Sequence, residues 1–145
     1  MRFAIGCDHA GLVLKRLLAE RLVELGHEVT DLGTDGPASC DYADFAAAVG
    51  RAVASGQADQ GLLVCGTGIG MAIAANKIAG VRAAVLSDTF SARSTRQHND
   101  ANVLCMGERV VGPGLALDIL DAWLAARFEG GRHQRRIDKI SALEG

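Results

Sequence analysis

The sequence predicts an α/β fold of three layers, a Rossmann-like sandwich in which helices cover both faces of a five-stranded parallel sheet. Two observations lead to this prediction. Short apolar runs alternate with longer helical patterns along the whole chain, and several of the apolar runs end in polar or glycine-rich stretches. Repeated strand–helix–strand units with right-handed crossovers produce such a doubly wound sheet. Ligands of these sheets bind beyond the carboxyl ends of the strands, so the residues found there are the first candidates for function.

Five apolar runs are predicted as strands because each is short, aliphatic and bounded by glycine or polar residues. They cover residues 3–7, 27–32, 62–65, 81–86 and 101–106. The run over 81–86 is apolar almost throughout, which is typical of a parallel strand that is buried on both faces.

The segments between these strands have the spacing of amphipathic or alanine-rich helices. In the first helix an apolar face and a C-terminal glycine cap are expected at Leu14, Leu18, Leu22, Leu25 and Gly26. Further helices are predicted over 42–54, 71–78, 88–97 and 132–143. A long helix begins at Pro113, ends at 129–131, and is expected to direct inward Ile119, Leu120, Trp123, Leu124 and Phe128.

Composition limits the classes of function. The 145 residues suit one domain, expected to span 1–145 with a helical tail from about 129. A net charge of −2 gives no general attraction to nucleic acid or to membranes. No apolar segment approaches the ~20 residues of a membrane span, and no signal peptide is evident.

Cysteine usage indicates a reducing compartment. Cys7, Cys40, Cys65 and Cys105 lie far apart, without zinc-binding spacing. Reduced thiols and a cytoplasmic location are therefore expected.

The most informative motif runs from the third strand into the next helix. Gly66, Gly68 and Gly70 alternate, so their backbone N–H groups can converge, and the following helix N-terminus adds partial positive charge. Cys65 stands at the strand end beside this field, which would stabilise its thiolate as a base or nucleophile. The spacing is neither that of a dinucleotide site nor that of a nucleotide P-loop. A tight turn beside an inert, buried cysteine remains the alternative.

Two further polar clusters have the residue types of acid–base chemistry. Asp8 and His9 follow the first strand and could exchange protons or contact phosphate, although Asp8 could also act as a helix N-cap. His98 lies in the polar stretch 96–100, and its imidazole titrates near neutral pH, so it could protonate a sugar oxygen. A solvated loop histidine is the alternative for His98.

The basic C-terminal helix could bind an anion. Arg132 and Arg136 are four residues apart, so they project from one face and can hold a phosphate together. His133 and Arg135 are expected to face solvent. A plain basic surface helix is an alternative, whereas the acidic net charge and the few aromatic residues argue against nucleic-acid binding.

These motifs together resemble the ribose-5-phosphate isomerase B family, which also includes allose- and galactose-6-phosphate isomerases. The similar segments occur in family order over nearly the whole chain. They are residues 6–11, 41–42, 65–70, 74–77, 94–100 and 129–133.

The resemblance implies an aldose–ketose isomerase that interconverts D-ribose 5-phosphate and D-ribulose 5-phosphate through an enediolate. Cys65 would be the base that moves a proton between C1 and C2, and Thr67 would hydrogen-bond the substrate oxygens. The amides of the turn would hold the developing negative charge. His98, together with Asp8, would open the furanose ring. No metal or other cofactor is needed, because the amides and the thiolate share the electrostatic work that a divalent cation does in other isomerases.

The resemblance also implies the binding residues. Tyr42 and Asn99 would contact sugar hydroxyls. The phosphate would be held by His9, Arg109, Arg132 and Arg136. Substrate contacts are further expected at Asp8 and throughout the turn, at Gly66, Thr67, Gly68, Ile69 and Gly70.

Two departures from the family pattern bear on mechanism. One branch of the family lacks the cysteine and has a glutamate base after the glycine turn, where this chain has Met71. The cysteine mechanism is therefore favoured. The proline that often follows the Asp-Tyr pair is replaced here by Ala43, which affects the expected rigidity of the loop and not Tyr42 itself.

Family members build the site at a homodimer interface, and dimers could pair into tetramers. The sequence does not say which protomer supplies His98, Asn99 or Arg109. A six-carbon phosphosugar substrate and a non-catalytic phosphosugar-binding role remain alternatives. A thiol-redox role for Cys65, with Cys7 on a neighbouring strand as its partner, is a further alternative.

Overall fold

The computed structural model describes residues 1–144, which form a five-stranded, wholly parallel sheet with helices on both faces. The strand order is β2-β1-β3-β5-β4. The strands are β1 (Arg2–Cys7), β2 (Glu28–Asp31), β3 (Gln60–Cys65), β4 (Ala83–Val85) and β5 (Val103–Gly107). The helices are α1 (Leu12–Glu24), α2 (Tyr42–Ala54), α3 (Ile69–Ala75), α4 (Thr89–Asn99), α5 (Pro113–Ala125) and α6 (Arg132–Ser141), followed by a 3-10 turn at Ala142–Glu144. The predicted fold class is confirmed.

The order of the strands reverses between β1 and β3. The chain leaves β1 for β2 on one side and then returns to place β3 on the other. Cys7 is paired with Val64, so the two strands end at almost the same level. The backbone N–H of Asp8 continues this pairing by donating to the carbonyl of Val64 at 3.3 Å. A crevice therefore opens beyond these two strand ends, where doubly wound sheets bind their ligands.

The sheet separates two apolar cores. Side chains alternate along β3, so that Leu62 and Val64 pack against α1 and α5 while Leu63 and Cys65 face α2 and α3. Cys7 belongs to the first core and Cys65 to the second. The two thiols therefore lie on opposite faces of the sheet, so the alternative of Cys7 as a redox partner of Cys65 was wrong.

Several predicted boundaries shift for physical reasons. α3 begins two residues earlier than predicted, because Gly68 takes φ +81° and serves as its N-cap. β4 is shorter than the apolar run 81–86, and its Val85 is 41% exposed. This strand pairs only with β5 at the edge of the sheet, so the prediction of burial on both faces was wrong there.

The predicted apolar faces of two helices need correction at their ends. Leu25 lies beyond α1 and is 45% exposed, since the helix ends at Glu24. Phe128 lies beyond the end of α5 and is only partly buried. Within residues 1–144 no helix has the length and apolar character needed to cross a membrane.

One buried polar contact joins α5 to the start of β3. The indole Nε1–H of Trp123 donates to Oε1 of Gln60 at 2.7 Å, and both side chains are buried. The guanidinium of Arg96 lies 5.4 Å from the centre of the same indole ring. The amide of Gln60 thus satisfies an indole donor that has been withdrawn from water.

We expect Gln60→Leu to lower the free energy of unfolding by about 1–3 kcal/mol, because the buried indole N–H loses its acceptor. Urea unfolding measures this loss. Gln57→Leu, at an exposed position nearby, is the matched control and should change stability by less than about 0.5 kcal/mol. Equal losses in the two variants would contradict the role given to Gln60.

Candidate active site

The glycine turn holds the sulfur of Cys65 in a defined position. The backbone N–H of Gly68 donates to Sγ of Cys65 at 3.1 Å. A Cβ at Gly68 would lie 2.9 Å from the carbonyl carbon of Met106, so both the left-handed backbone and the close packing require glycine here. The N–H of Ile69 donates to Oγ1 of Thr67 at 3.2 Å. An amide donor aimed at the sulfur stabilises negative charge on it.

The other buried cysteines are poorly suited to act as bases. Burial is the main reason why the pKa of Cys105 is raised, and negative charge on Cys65 adds to this effect. Burial likewise raises the pKa of Cys7 to about 11. Both therefore remain thiols near neutral pH, whereas Cys65 lines an open pocket.

This pocket lies at the crevice beyond β1 and β3 and has a volume of about 460 Å³. It is built from the ends of β1 and β3, the start of α2, the glycine turn and the residues after β5. Its lining includes nine of the residues predicted for the site: Asp8, His9, Tyr42, Cys65, Gly66, Thr67, Ile69, Gly70 and Arg109. Gly68 stands within the same turn.

Asp8 and His9 are held by backbone amides. Oδ1 of Asp8 accepts the N–H of Ala10 at 2.9 Å, and its side chain is buried. The N-cap of α1 is Gly11, so the alternative of Asp8 as a helix N-cap was wrong. Nδ1 of His9 accepts the N–H of Cys40 at 3.2 Å, which assigns the proton of the neutral ring to Nε2.

Tyr42 and Arg109 lie on either side of the turn. The ring of Tyr42 lies over Gly70, where a Cβ would come within 2.8 Å of ring atoms. The backbone N–H of Arg109 donates to the carbonyl of Gly66 at 3.0 Å, and its guanidinium lies close to Gly66. Arg109 therefore lines the pocket of its own chain. The sequence did not say which protomer supplies this residue.

Besides Gly68, four predicted site residues are not part of this pocket lining. His98 and Asn99 are at the end of α4, and Arg132 and Arg136 are exposed on α6, which packs against α4. The two arginines share a helix face, as predicted from their spacing. The predicted site is thus divided into two groups within one chain.

The expectation that His133 faces solvent was wrong. His133 is 6% exposed, and its ring is stacked on that of His98 with centroids 4.3 Å apart and an interplanar angle of 13°. Ile137, one turn later, is also buried. The apolar Ile137 four residues after His133 was the available signal that these two positions form the inward face of α6.

Glu129, which sequence reasoning did not single out, contacts both histidines. Its Oε1 lies 3.6 Å from Nε2 of His98 and 3.6 Å from Nε2 of His133. These residue types can bind zinc. Each imidazole lone pair lies in the plane of its ring, however, so two nearly parallel rings direct their lone pairs side by side and not toward a common point. A metal ion between them would lie outside the plane of at least one ring, so the arrangement is poorly suited to binding one.

The fold and the pocket define a class: doubly wound α/β proteins that bind a small ligand at the switch point, here beside a thiol and a turn of backbone donors. The chain belongs to the Ribose/Galactose Isomerase family, whose profile matches residues 3–140. Ribose-5-phosphate isomerase B of Escherichia coli K12 is 54% identical over 143 residues, which cover 99% of this chain and 96% of the relative.

Solved structures agree with this assignment. Ribose-5-phosphate isomerase B of Clostridium thermocellum is similar with a TM-score of 0.98 and 54% identity, covering 99% of this chain and 97% of that one. The enzyme of Mycoplasma genitalium, solved with bound ribulose-5-phosphate, has a TM-score of 0.95 and 46% identity, with coverage of 99% and 95%.

We expect Gly68→Ala to destabilise the protein by at least about 1–2 kcal/mol, since an L-residue is strained at this φ and its Cβ meets the backbone at Met106. Alkylation of Cys65 by iodoacetamide at neutral pH should also become slower, because the amide moves away from the sulfur. Unfolding titrations and mass spectrometry measure the two effects. Gly114→Ala, within α5 and with open space around the new Cβ, is the control: it should not lower the stability and should leave the alkylation rate unchanged.

Proposed function

We propose that this chain is an aldose–ketose isomerase that interconverts D-ribose 5-phosphate and D-ribulose 5-phosphate, with Cys65 as the base. The observation that carries the proposal is the sulfur of Cys65, which lines the pocket and accepts an amide hydrogen bond at 3.1 Å. The family assignment and the relatives named for this reaction support it.

Proton transfer between adjacent carbons requires a base and a means of holding an oxyanion. The Cys65 thiolate takes the proton from C2 of the open-chain aldose, and the electron pair moves toward the C1 carbonyl oxygen to give an enediolate. The same proton then returns to C1 while the hydroxyl proton of O2 passes to O1, so that C2 becomes the ketone carbon and C1 becomes a hydroxymethyl carbon. Thr67 and the turn amides that are not engaged by Cys65 or Thr67, those of residues 66, 67 and 70, would stabilise the oxygens, which carry most of the developing charge.

Ribose 5-phosphate is mainly a furanose, so its ring must open before this transfer. His98 donates a proton to the ring oxygen as the C1–O bond breaks, and the Asp8 carboxylate accepts the proton of the C1 hydroxyl. These roles suit the half-exposed imidazole of His98 and the buried carboxylate of Asp8, which lines the pocket.

The phosphate and the hydroxyls are bound by residues of both groups. The Nε2–H of His9 and the guanidinium of Arg109 face the phosphate from the pocket side, and Arg132 and Arg136 complete its binding. Tyr42 and Asn99 contact the sugar hydroxyls. No metal takes part in this mechanism.

Because the two groups are separated within one chain, we place the complete site at the interface of a homodimer. One protomer supplies the pocket, and its partner supplies the group at the ends of α4 and α6. Exposed apolar side chains flank both groups, which supports an interface there: Ile69 and Ile73 at the pocket and Phe90 on α4 are 53%, 60% and 67% exposed. Burial of such side chains favours association.

A single functional domain over residues 1–145 and a cytoplasmic location complete the proposal. The four cysteines are free, which is in keeping with a reducing compartment. The net charge of −2 offers no basis for nucleic-acid binding. No observation on this pocket favours a six-carbon substrate or a non-catalytic role.

We expect Cys65→Ala to abolish interconversion of the two pentose phosphates while the unfolding transition stays cooperative. A coupled assay of ribulose 5-phosphate formation, run with a chelator present, measures this loss. The unmodified protein should remain fully active in the presence of the chelator. Cys7→Ala removes a buried thiol on the opposite face of the sheet and should keep the activity. Retained turnover in Cys65→Ala would overturn the assignment of the base.

Mixing two inactive variants tests the shared site. In a heterodimer of Cys65→Ala and His98→Asn, one site carries both changes and the other carries neither. Random reassociation of equal amounts should therefore restore about one quarter of the activity of the unmodified protein. Co-expression with two affinity tags provides the pure heterodimer, whose activity should be about half. No recovery in the pure heterodimer would place both residues in the site of a single chain.

A further inference from the structure

The segment between α5 and α6 brings a carboxylate to two stacked imidazoles. The backbone N–H of Glu129 donates to the carbonyl of Gln97 at 3.0 Å, which anchors the segment beside the end of α4. Gly130 and Gly131 then take φ values of +67° and +58°, so the chain turns sharply into α6. As a result Glu129 and His133 both reach His98, the first through its Oε1 and the second through its ring face.

We propose that Glu129 and His133 are positioning residues that stabilise the charged form of His98 and hold its ring in place for opening the sugar. The proposal rests on the proposed function, which assigns ring opening to His98. It concerns two residues that do not themselves line the pocket.

The geometry allows one of the two histidine rings to be positively charged, but it disfavours a positive charge on both rings at once. Ring centroids 4.3 Å apart would bring two positive charges into close contact. The Glu129 carboxylate lies 3.6 Å from both Nε2 atoms and can balance one such charge. The cluster therefore holds one imidazolium beside one carboxylate, with the second ring neutral.

Burial decides which ring is charged. The side chain of His133 is 8% exposed, whereas that of His98 is 44% exposed and can share its charge with water. Burial is the largest cause that lowers the pKa of His133, followed by the nearby charges of His98, Arg132 and Arg136, while Glu129 acts in the opposite direction. These are the charged groups that face His133 from α4, from α6 and from the segment before α6. The buried ring of His133 is consequently the neutral one of the pair.

A charged His98 has the form that ring opening requires. It gives its proton to the ring oxygen of the bound furanose and regains one from solvent once the ring has opened. Glu129 stabilises the charged ring before the transfer, and the neutral ring of His133 restricts its rotation. The roles parallel those of a carboxylate that orients a catalytic histidine.

Nuclear magnetic resonance of the full-length protein, labelled at its four histidines, tests the charge arrangement directly. As the pH is lowered, His133 should take up a proton only below the ordinary histidine range. In Glu129→Gln the titration of His133 should move to still lower pH, because a group that raises its pKa has been removed. Protonation of His133 within the ordinary histidine range would overturn the proposal.

Kinetics then separate positioning from simple structural support. We expect Glu129→Gln to lower kcat/KM for ribose 5-phosphate about tenfold. In the same variant, the decline of activity with rising pH should set in at a lower pH. His133→Ala should lose a similar factor, whereas His133→Phe, which keeps a flat ring against His98, should restore most of the activity. Glu24→Gln, at an exposed position on α1, is the control and should match the unmodified protein.

The two proposals fail in different ways. If the unmodified protein does not turn over the pentose phosphates, the proposed function is wrong, and the histidine titrations still decide the charge arrangement. If it does turn over and Glu129→Gln changes neither the His133 titration nor the pH profile, the isomerase stands and the positioning role is overturned. A folded His133→Phe variant as inactive as His133→Ala would contradict the role given to the stacked ring.

Discussion

The parallel pairing of β1 with β3 is the constraint on which the rest of the site depends. It brings Cys7 level with Val64, and the amide of Asp8 extends the pairing by one further hydrogen bond. The residues that follow the two strands therefore leave the sheet side by side. Because β2 lies on one side of this pair and β5 on the other, no strand covers the opening between them. The pocket is a direct consequence of strand order.

Because side chains alternate between the two faces of the sheet, Cys7 and Cys65 lie in different surroundings and differ in chemistry. Cys7 packs with α1 and α5, and its thiol is protonated because it is buried. Cys65 lies on the other face at the strand end, where the turn supplies an amide to its sulfur. The same residue type is thus inert at one strand end and suited to chemistry at the next. The difference arises from the backbone that follows each strand and not from the apolar runs that precede it.

The polar side chains at the C-terminal end of α4 and in the first half of α6 form a second cluster, whose members contact one another. Glu129 and His133 surround His98 on the inner side, while Arg132 and Arg136 remain exposed. A unit of this kind contributes little to the apolar core, and its charges point outward from the chain that carries it. In the proposed dimer this unit faces the pocket of a second copy, which offers a thiol, a carboxylate and backbone donors.

The fold class, the order of strands and helices along the chain, and most of the pocket could be predicted from the sequence, because apolar periodicity and glycine spacing are local signals. It could not show that β4 is an edge strand, that Cys7 and Cys65 lie on opposite faces, or that Asp8 does not cap α1. Nor could it show that His133 is buried against His98 with Glu129 beside them. These features depend on strand order and on contacts between residues distant in the chain, so only the tertiary structure decided them.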